Sequence, residues 1–136
     1  MKLWLIAAML FLGGRQTTEP IDTVTAGAGK VARFAFAGTG YAGVISDGEQ
    51  DYRSILARDS ALADFEKLYS QGNLPAKCYA LVGIKKLNPA RFKELARRLR
   101  TSNDKVATMH GCILSDEAFA DVVRQIESGQ YSRQGY

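Results

Sequence analysis

The chain has 136 residues, of which 46% are hydrophobic and 24% are charged, and its formal net charge is +4. This composition is typical of a globular protein, and the length allows one domain with a real hydrophobic core. The mild positive charge is too small for the dense basic field of a dedicated nucleic-acid-binding protein. One histidine and two cysteines, with no CxxC spacing, also disfavour a zinc site, which needs four ligands.

The N-terminus has the pattern of a secretory signal peptide. Lys2 is followed by a wholly apolar run over residues 3–12 and then by the small residue Gly14. A cation, a short apolar run and small residues in this order predict a signal peptide, although no A-x-A cleavage motif stands near residue 14. The run is too short to cross a bilayer, which takes about 20 apolar residues, and a buried helix at the very start is the alternative. We predict a signal peptide over residues 1–14 and a mature protein in the periplasm or outside the cell.

The next segment, residues 15–45, is rich in Thr, Gly and Ala and is predicted to be a flexible lead, with a short strand over residues 31–37. Gly38, Gly40 and Gly43 then match the G-x-G-x-x-G pattern of dinucleotide-binding sites. In such sites the glycines open directly into a helix and a second strand follows, whereas here the helical pattern begins several residues later. We therefore interpret the glycines as a loop that turns the chain onto the helices, and we predict no cofactor.

Five helix-length segments follow, each with apolar residues at helical spacing. They begin near Ser46, Ser60, Pro75, Pro89 and Ser115. Ser46 and Glu49 have the spacing of a capping box, and Gly83 in the third segment indicates a close helix crossing. That segment is apolar nearly all round, so it should be the buried centre. We predict a mainly α fold, a compact antiparallel domain of about five helices over residues 46–130, with a minor β element at 31–37 or 106–114 and a polar tail at 131–136.

Cys78 and Cys112 are the two cysteines, and they admit two interpretations. In an oxidising compartment a pair of cysteines predicts first a disulfide. The alternative is two small hydrophobic side chains that never meet. The predicted export favours the disulfide.

The only histidine, His110, lies two residues before Cys112. A Cys–His nucleophile pair needs the thiolate within hydrogen-bonding distance of the imidazole, so a thiol-dependent activity is one hypothesis, against a histidine beside a structural cysteine. The carboxylates of Asp116, Glu117 and Asp121 lie at the start of the last predicted helix. There the helix dipole accounts for Asp116 and Glu117 without any acid–base role, and Asp121 falls on the polar face.

A basic stretch over residues 85–100 is the densest cluster of charge. Its members with anion-binding potential are Lys85, Lys86, Arg91, Arg97 and Arg98. The charges scatter around the solvent side of the predicted helix, and Glu94 can pair with Arg98 at i,i+4 spacing. A solvated helix face is the favoured interpretation, and an anion-binding patch is the alternative. Nucleic acid is a disfavoured partner because few aromatic residues interleave with the charges.

Four segments between residues 40 and 131 carry a resemblance. They are GVISDGE (43–49), PAKCYALVG (75–83), HGCI (110–113) and IESGQY (126–131). In these the chain resembles a family of small uncharacterised exported bacterial proteins. The resemblance implies export and a helical domain, and it implies no reaction or ligand.

The absence of a recognisable catalytic constellation in the sequence favours a binding role. We predict a non-catalytic interaction module in the cell envelope whose partner is another protein, as for an immunity or inhibitor protein. Membrane contact is expected only through the signal peptide. The alternative is a thiol-dependent enzyme that uses Cys112 with His110.

Overall fold

The computed structural model describes residues 27–132. The predicted signal peptide and the last four residues of the predicted tail lie outside this range. Five helices and one two-stranded antiparallel sheet lie wholly within it, so the described part is mainly α, as predicted. In chain order the elements are α1 (Asp47–Leu56), α2 (Ala61–Gln71), α3 (Leu74–Leu87), α4 (Pro89–Leu99), β1 (Lys105–His110), β2 (Ile113–Ala118) and α5 (Phe119–Glu127).

Helix α3 forms the centre of the structure, as its apolar sequence predicted. Its residues from Pro75 to Ile84 are buried with the exception of Lys77, and it contacts α1, α2, α4, α5 and β1. Gly83 lies where α3 crosses α2, because a Cβ added there would be 2.4 Å from the ring of Phe65. The predicted close helix crossing at Gly83 is therefore confirmed.

The segment before α1 contributes two aromatic rings to the core. Phe34 and Phe36 are buried, and their rings pack against Tyr79 of α3 at centroid distances of 4.9 and 5.1 Å. Tyr131, from the predicted tail, packs on the Phe34 ring at 4.9 Å. Edge-to-face and tilted aromatic pairs of this kind add to the stabilisation that burial gives. The core therefore extends beyond the helices at both ends of the described chain.

The capping box before α1 is half formed. Ser46 Oγ accepts a hydrogen bond from the Glu49 N–H at 3.2 Å, as an N-cap serine does. The Glu49 carboxylate, which is fully buried, accepts instead from the Ala37 N–H at 2.9 Å and from Arg53 at 2.9 Å. Glu49 thus fixes the chain that leads into the helix. The residue that it holds, Ala37, has a positive φ, which is uncommon for a residue other than glycine.

The β-hairpin corrects the prediction for the start of the last helix. The predicted extended segment over residues 106–114 is strand on both sides of a turn at residues 111–112. The second strand continues through Ser115 to Ala118, and α5 begins at Phe119. Ser115 is therefore not an N-cap, because it pairs with Thr108 in the antiparallel ladder. Asp116 and Glu117 lie in this strand as well, so the helix-dipole explanation does not apply to them.

The predicted disulfide is wrong for this structure. Cys78 is fully buried in the middle of α3, whereas Cys112 is exposed in the turn between β1 and β2, and both thiols are free. A disulfide needs the two Cα atoms within about 7 Å of each other. The core helix and the hairpin turn hold the cysteines in different places, and burial raises the pKa of the Cys78 thiol.

Candidate functional site

Two tight turns meet at one end of the sheet. Thr39 and Val44 pair in a small antiparallel bridge, with N–H···O distances of 2.8 and 3.1 Å, and so close the glycine-rich turn. Gly111 and Cys112 form the turn of the β-hairpin. The Gly40 N–H donates to the Gly111 carbonyl at 3.1 Å and joins the two turns. We call residues 39–44 together with 111–114 the tip.

The glycines of the G-x-G-x-x-G match serve the geometry of this turn. Gly38, Gly40 and Gly43 all have positive φ, which side-chain-bearing residues rarely adopt. A Cβ at Gly38 would also lie 2.8 Å from the carbonyl oxygen of Gly43. Their role in the structure is therefore a tight turn, in agreement with the interpretation from sequence.

The tip concentrates exposed apolar side chains. Among residues 27–132, five large hydrophobic side chains are exposed, and four of them belong to the tip, at 57% to 104% exposure. These four are Tyr41, Val44, Ile113 and Leu114. The fifth, Leu87 at the end of α3, is 42% exposed. Single exposed hydrophobic residues are ordinary, but a group of them on a folded surface is typical of an interaction site.

These four residues were not among the candidate site residues predicted from the sequence, although the sequence contains one signal for them. Ile113 and Leu114 are adjacent apolar residues in an extended segment, and successive side chains of a strand point to opposite faces. A small hairpin cannot cover both faces with its own core. One of the two therefore had to remain exposed or find a partner elsewhere.

The inner face of the hairpin carries a hydrogen-bonded cluster centred on Glu117. Its Oε1 accepts from Thr108 Oγ1 at 2.6 Å and from His110 Nε2 at 2.8 Å, and its Oε2 accepts from Gln125 of α5 at 2.6 Å. Burial opposes ionisation of this carboxyl, but these three hydrogen bonds outweigh burial and lower its pKa. The cluster attaches the hairpin to α5.

The same cluster fixes the orientation of the only histidine. Because an ionised carboxylate only accepts hydrogen bonds, His110 donates from Nε2 to Glu117, and Nδ1 is the remaining ring nitrogen. Cys112 is exposed two residues away. Within the described part of the chain, no hydrogen bond joins the Cys112 thiol to the imidazole. Within the described residues, the Glu117 carboxylate therefore orients the histidine and the Cys112 thiol is exposed, but the two are not joined as a Cys–His pair.

The predicted anion-binding patch divides into cations with different roles. Lys85 donates to the carbonyls of Ile126 and Glu127 at 2.6 and 3.1 Å, and so satisfies the C-terminal end of α5. Lys86 and Arg97 are exposed. Lys85 thus has a structural contact that the sequence did not indicate.

The remaining two cations of the patch are in ion pairs. Arg91 forms a bidentate pair with Glu66 of α2, at 2.8 and 3.2 Å, and also contacts Glu94 at 3.0 Å. These hydrogen-bonded carboxylates raise the pKa of Arg91. Arg98 pairs with Glu94 at 2.9 Å, which confirms the predicted i,i+4 contact. The patch therefore offers less unpaired charge than its sequence indicates.

The described residues contain neither a metal-binding cluster nor a membrane-spanning helix. Across residues 27–132, no group of three or more His, Cys, Asp or Glu side chains is arranged to hold a metal ion. No helix in the same range has the length and apolar character needed to cross a membrane. Comparison with protein-family models, with curated proteins and with solved structures gives no match.

Proposed function

We propose that this protein is a non-catalytic binding module of the bacterial cell envelope, and that it docks another protein through the tip. The observation that carries the proposal is the concentration of exposed apolar side chains at the tip. Burying one such side chain in a partner contributes about 1.5–3 kcal/mol, and exposed aromatic residues such as Tyr41 are frequent binding hot spots. An immunity or inhibitor protein that neutralises an envelope enzyme is the concrete form we favour.

The hydrogen-bonded segment behind the tip supports this role. The tip adjoins the segment around Phe34, whose N–H donates to Ala107 at 2.9 Å and whose carbonyl accepts from Met109 at 3.0 Å. Glu49 fixes the same segment through the Ala37 N–H. A surface with such support loses little conformational entropy on binding, which improves affinity.

Photo-crosslinking in the native host tests the docking surface. A photoreactive amino acid replaces Tyr41 in one strain, and replaces the exposed Arg97 of α4 in the control strain. We expect a specific crosslinked protein from position 41 only. Identical crosslinking from both positions, or none from position 41, would contradict the proposal.

The purified crosslinked partner then allows a quantitative test. We expect Leu114→Ser to weaken binding about tenfold or more, the effect of truncating a hot-spot residue. Leu87→Ser is the matched control because it removes an exposed apolar side chain away from the tip. Equal losses of affinity for the two variants would refute the assignment of the site.

Export is a separate part of the proposal, as is membership of the exported family that the chain resembles. N-terminal sequencing of the protein from fractionated host cells tests it. We expect a mature protein in the envelope or the medium that lacks Trp4. Recovery from the cytosol with Trp4 still present would refute the envelope location.

A thiol-dependent enzyme is the second candidate function. The hydrogen bond between Glu117 and His110 favours it, because Cys–His catalytic arrangements include a group that orients the histidine. The test is the rate of Cys112 alkylation from pH 5 to pH 9 in the unmodified protein and in His110→Asn. A reactive thiolate below pH 7 that His110→Asn abolishes would support catalysis. Identical pH profiles would exclude it.

A further inference from the structure

The two long edges of the hairpin differ in their main-chain hydrogen bonding. The register pairs His110 with Ile113 across a two-residue turn. In such hairpins the pair that flanks the turn exchanges both hydrogen bonds, and every second pair after it does the same. The main-chain groups of Leu114 and Asp116 therefore point away from β1, to the outer edge of β2.

The edge of β1 confirms this alternation. The same rule directs the main-chain groups of Ala107 and Met109 outward from β1, and these are the groups that hydrogen-bond Phe34. The segment around Phe34 thus covers the edge of β1. At the edge of β2, no main-chain partner for Leu114 or Asp116 is found within residues 27–132. An uncovered edge strand is a template for a further strand.

The side chains along this open edge have a distinct chemistry. Leu114 and Asp116 share the outer face of the hairpin, since they are two residues apart in β2. Both are exposed, and Asp116 has no ion pair or hydrogen bond within the described residues. With Arg33 and Ala107 they line a surface depression of about 300 Å³. An added strand would meet one apolar and one anionic side chain on the same face.

We propose that the partner binds by strand addition to the outer edge of β2, an inference that rests on the proposed function. The occupant is an extended segment that runs antiparallel to β2. It places a cationic side chain opposite Asp116 and, two residues later, an apolar side chain opposite Leu114. Main-chain hydrogen bonds supply the affinity, and the two side chains select the segment, as in other cases of β-augmentation.

A short synthetic peptide tests the chemistry of the edge directly. The probe is acetyl-Thr-Lys-Thr-Val-Thr-amide, and the control peptide replaces its Lys with Glu. Both are titrated into the ¹⁵N-labelled full chain and followed by NMR. We expect the Lys peptide to shift the amide signals of Leu114 and Asp116 first, and to bind about fivefold more tightly than the Glu peptide, the ratio expected of a cross-strand charge pair.

Two variants of the experiment make the result specific. Asp116→Lys should reverse the preference between the two peptides, because it exchanges attraction for repulsion at one cross-strand position. N-methylation of the peptide Val, which removes a ladder donor, should abolish binding. Equal binding of both peptides, shifts that map away from β2, or occupation of this edge by a second copy of the protein would each overturn the proposal.

The peptide result is distinguishable from a failure of the proposed function. If the partner still crosslinks from position 41 but binds Asp116→Lys and the unmodified protein equally well, docking at the tip stands and strand addition is refuted. If no partner crosslinks from position 41, the proposed function itself is refuted.

Discussion

A single hydroxyl group connects the segment behind the tip to the central helix. Tyr79 donates to the Ala35 carbonyl at 2.6 Å, accepts from the Ala35 N–H at 3.0 Å, and lies 3.1 Å from Ser46 Oγ. Burial is the main reason that the pKa of Tyr79 is raised to about 12, so the hydroxyl keeps its proton at neutral pH. Tyr79→Phe removes these contacts and keeps the aromatic ring in the core.

The magnitude of the effect follows from what is left without a partner. The Ala35 N–H becomes a buried donor with no acceptor, which costs about 1–3 kcal/mol. The Ala35 carbonyl loses less, because Ser46 Oγ still donates to it at 3.0 Å. We therefore expect Tyr79→Phe to lower the free energy of unfolding by about 2 kcal/mol.

Urea unfolding of the full chain, followed by circular dichroism, measures this difference. Tyr69→Phe is the matched control, since the Tyr69 hydroxyl makes no hydrogen bond to any residue in the range 27–132. We expect that control to change the free energy of unfolding by less than about 0.5 kcal/mol. If Tyr79→Phe falls within the same limit, the hydroxyl does not stabilise this connection and the reasoning fails.

Three further predictions concern the core, the hairpin and the cysteines. Gly83→Ala forces a methyl group against the buried Phe65 ring and should destabilise the protein by about 1–3 kcal/mol in thermal unfolding; no loss of stability would show that the helices can separate. Because the pKa of Glu117 is lowered in the folded protein, its ionised carboxylate stabilises the fold at pH values above the ordinary pKa of about 4.3. This stabilisation is lost when the pH falls and the carboxylate becomes protonated. The stability difference between Glu117→Gln and the unmodified protein should therefore shrink from pH 6 to pH 3, and a constant difference would contradict it. Without reductant, the native protein should be alkylated at Cys112 and not at Cys78, and a mass two hydrogens low with no alkylation would restore the disulfide.

Local patterns predicted much of the fold. The capping serine before α1 and the buried character of α3 depend on residues close together in sequence, and both are confirmed. The crossing at Gly83 is confirmed as well, but the sequence could not name its partner, because Phe65 lies in another helix. Ser115 shows where such patterns fail. A serine followed by acidic residues is typical of a helix start, but pairing with β1 satisfies the same main-chain groups in a strand. Tertiary contacts override local preference here.

The candidate site was less predictable because it depends on contacts between distant parts of the chain. The hydrogen bond from Gly40 to Gly111 brings the two turns together, and neither turn alone indicates it. For the basic residues the sequence indicates more than the structure contains. Arg91 counted as available charge in the sequence, but it is held by Glu66 from another helix. Charge counted along a sequence overstates what a folded surface offers.

The bridge between Phe34 and Thr108 has a consequence for the order of folding. The strand-like segment lies at the beginning of the described chain and its partner near the end. During synthesis from the N-terminus, the segment emerges long before β1 exists, and closing so long a loop is slow. The main-chain hydrogen bonds of Phe34 therefore form only after β1 has been made, whereas its ring can pack on Tyr79 as soon as α3 is present.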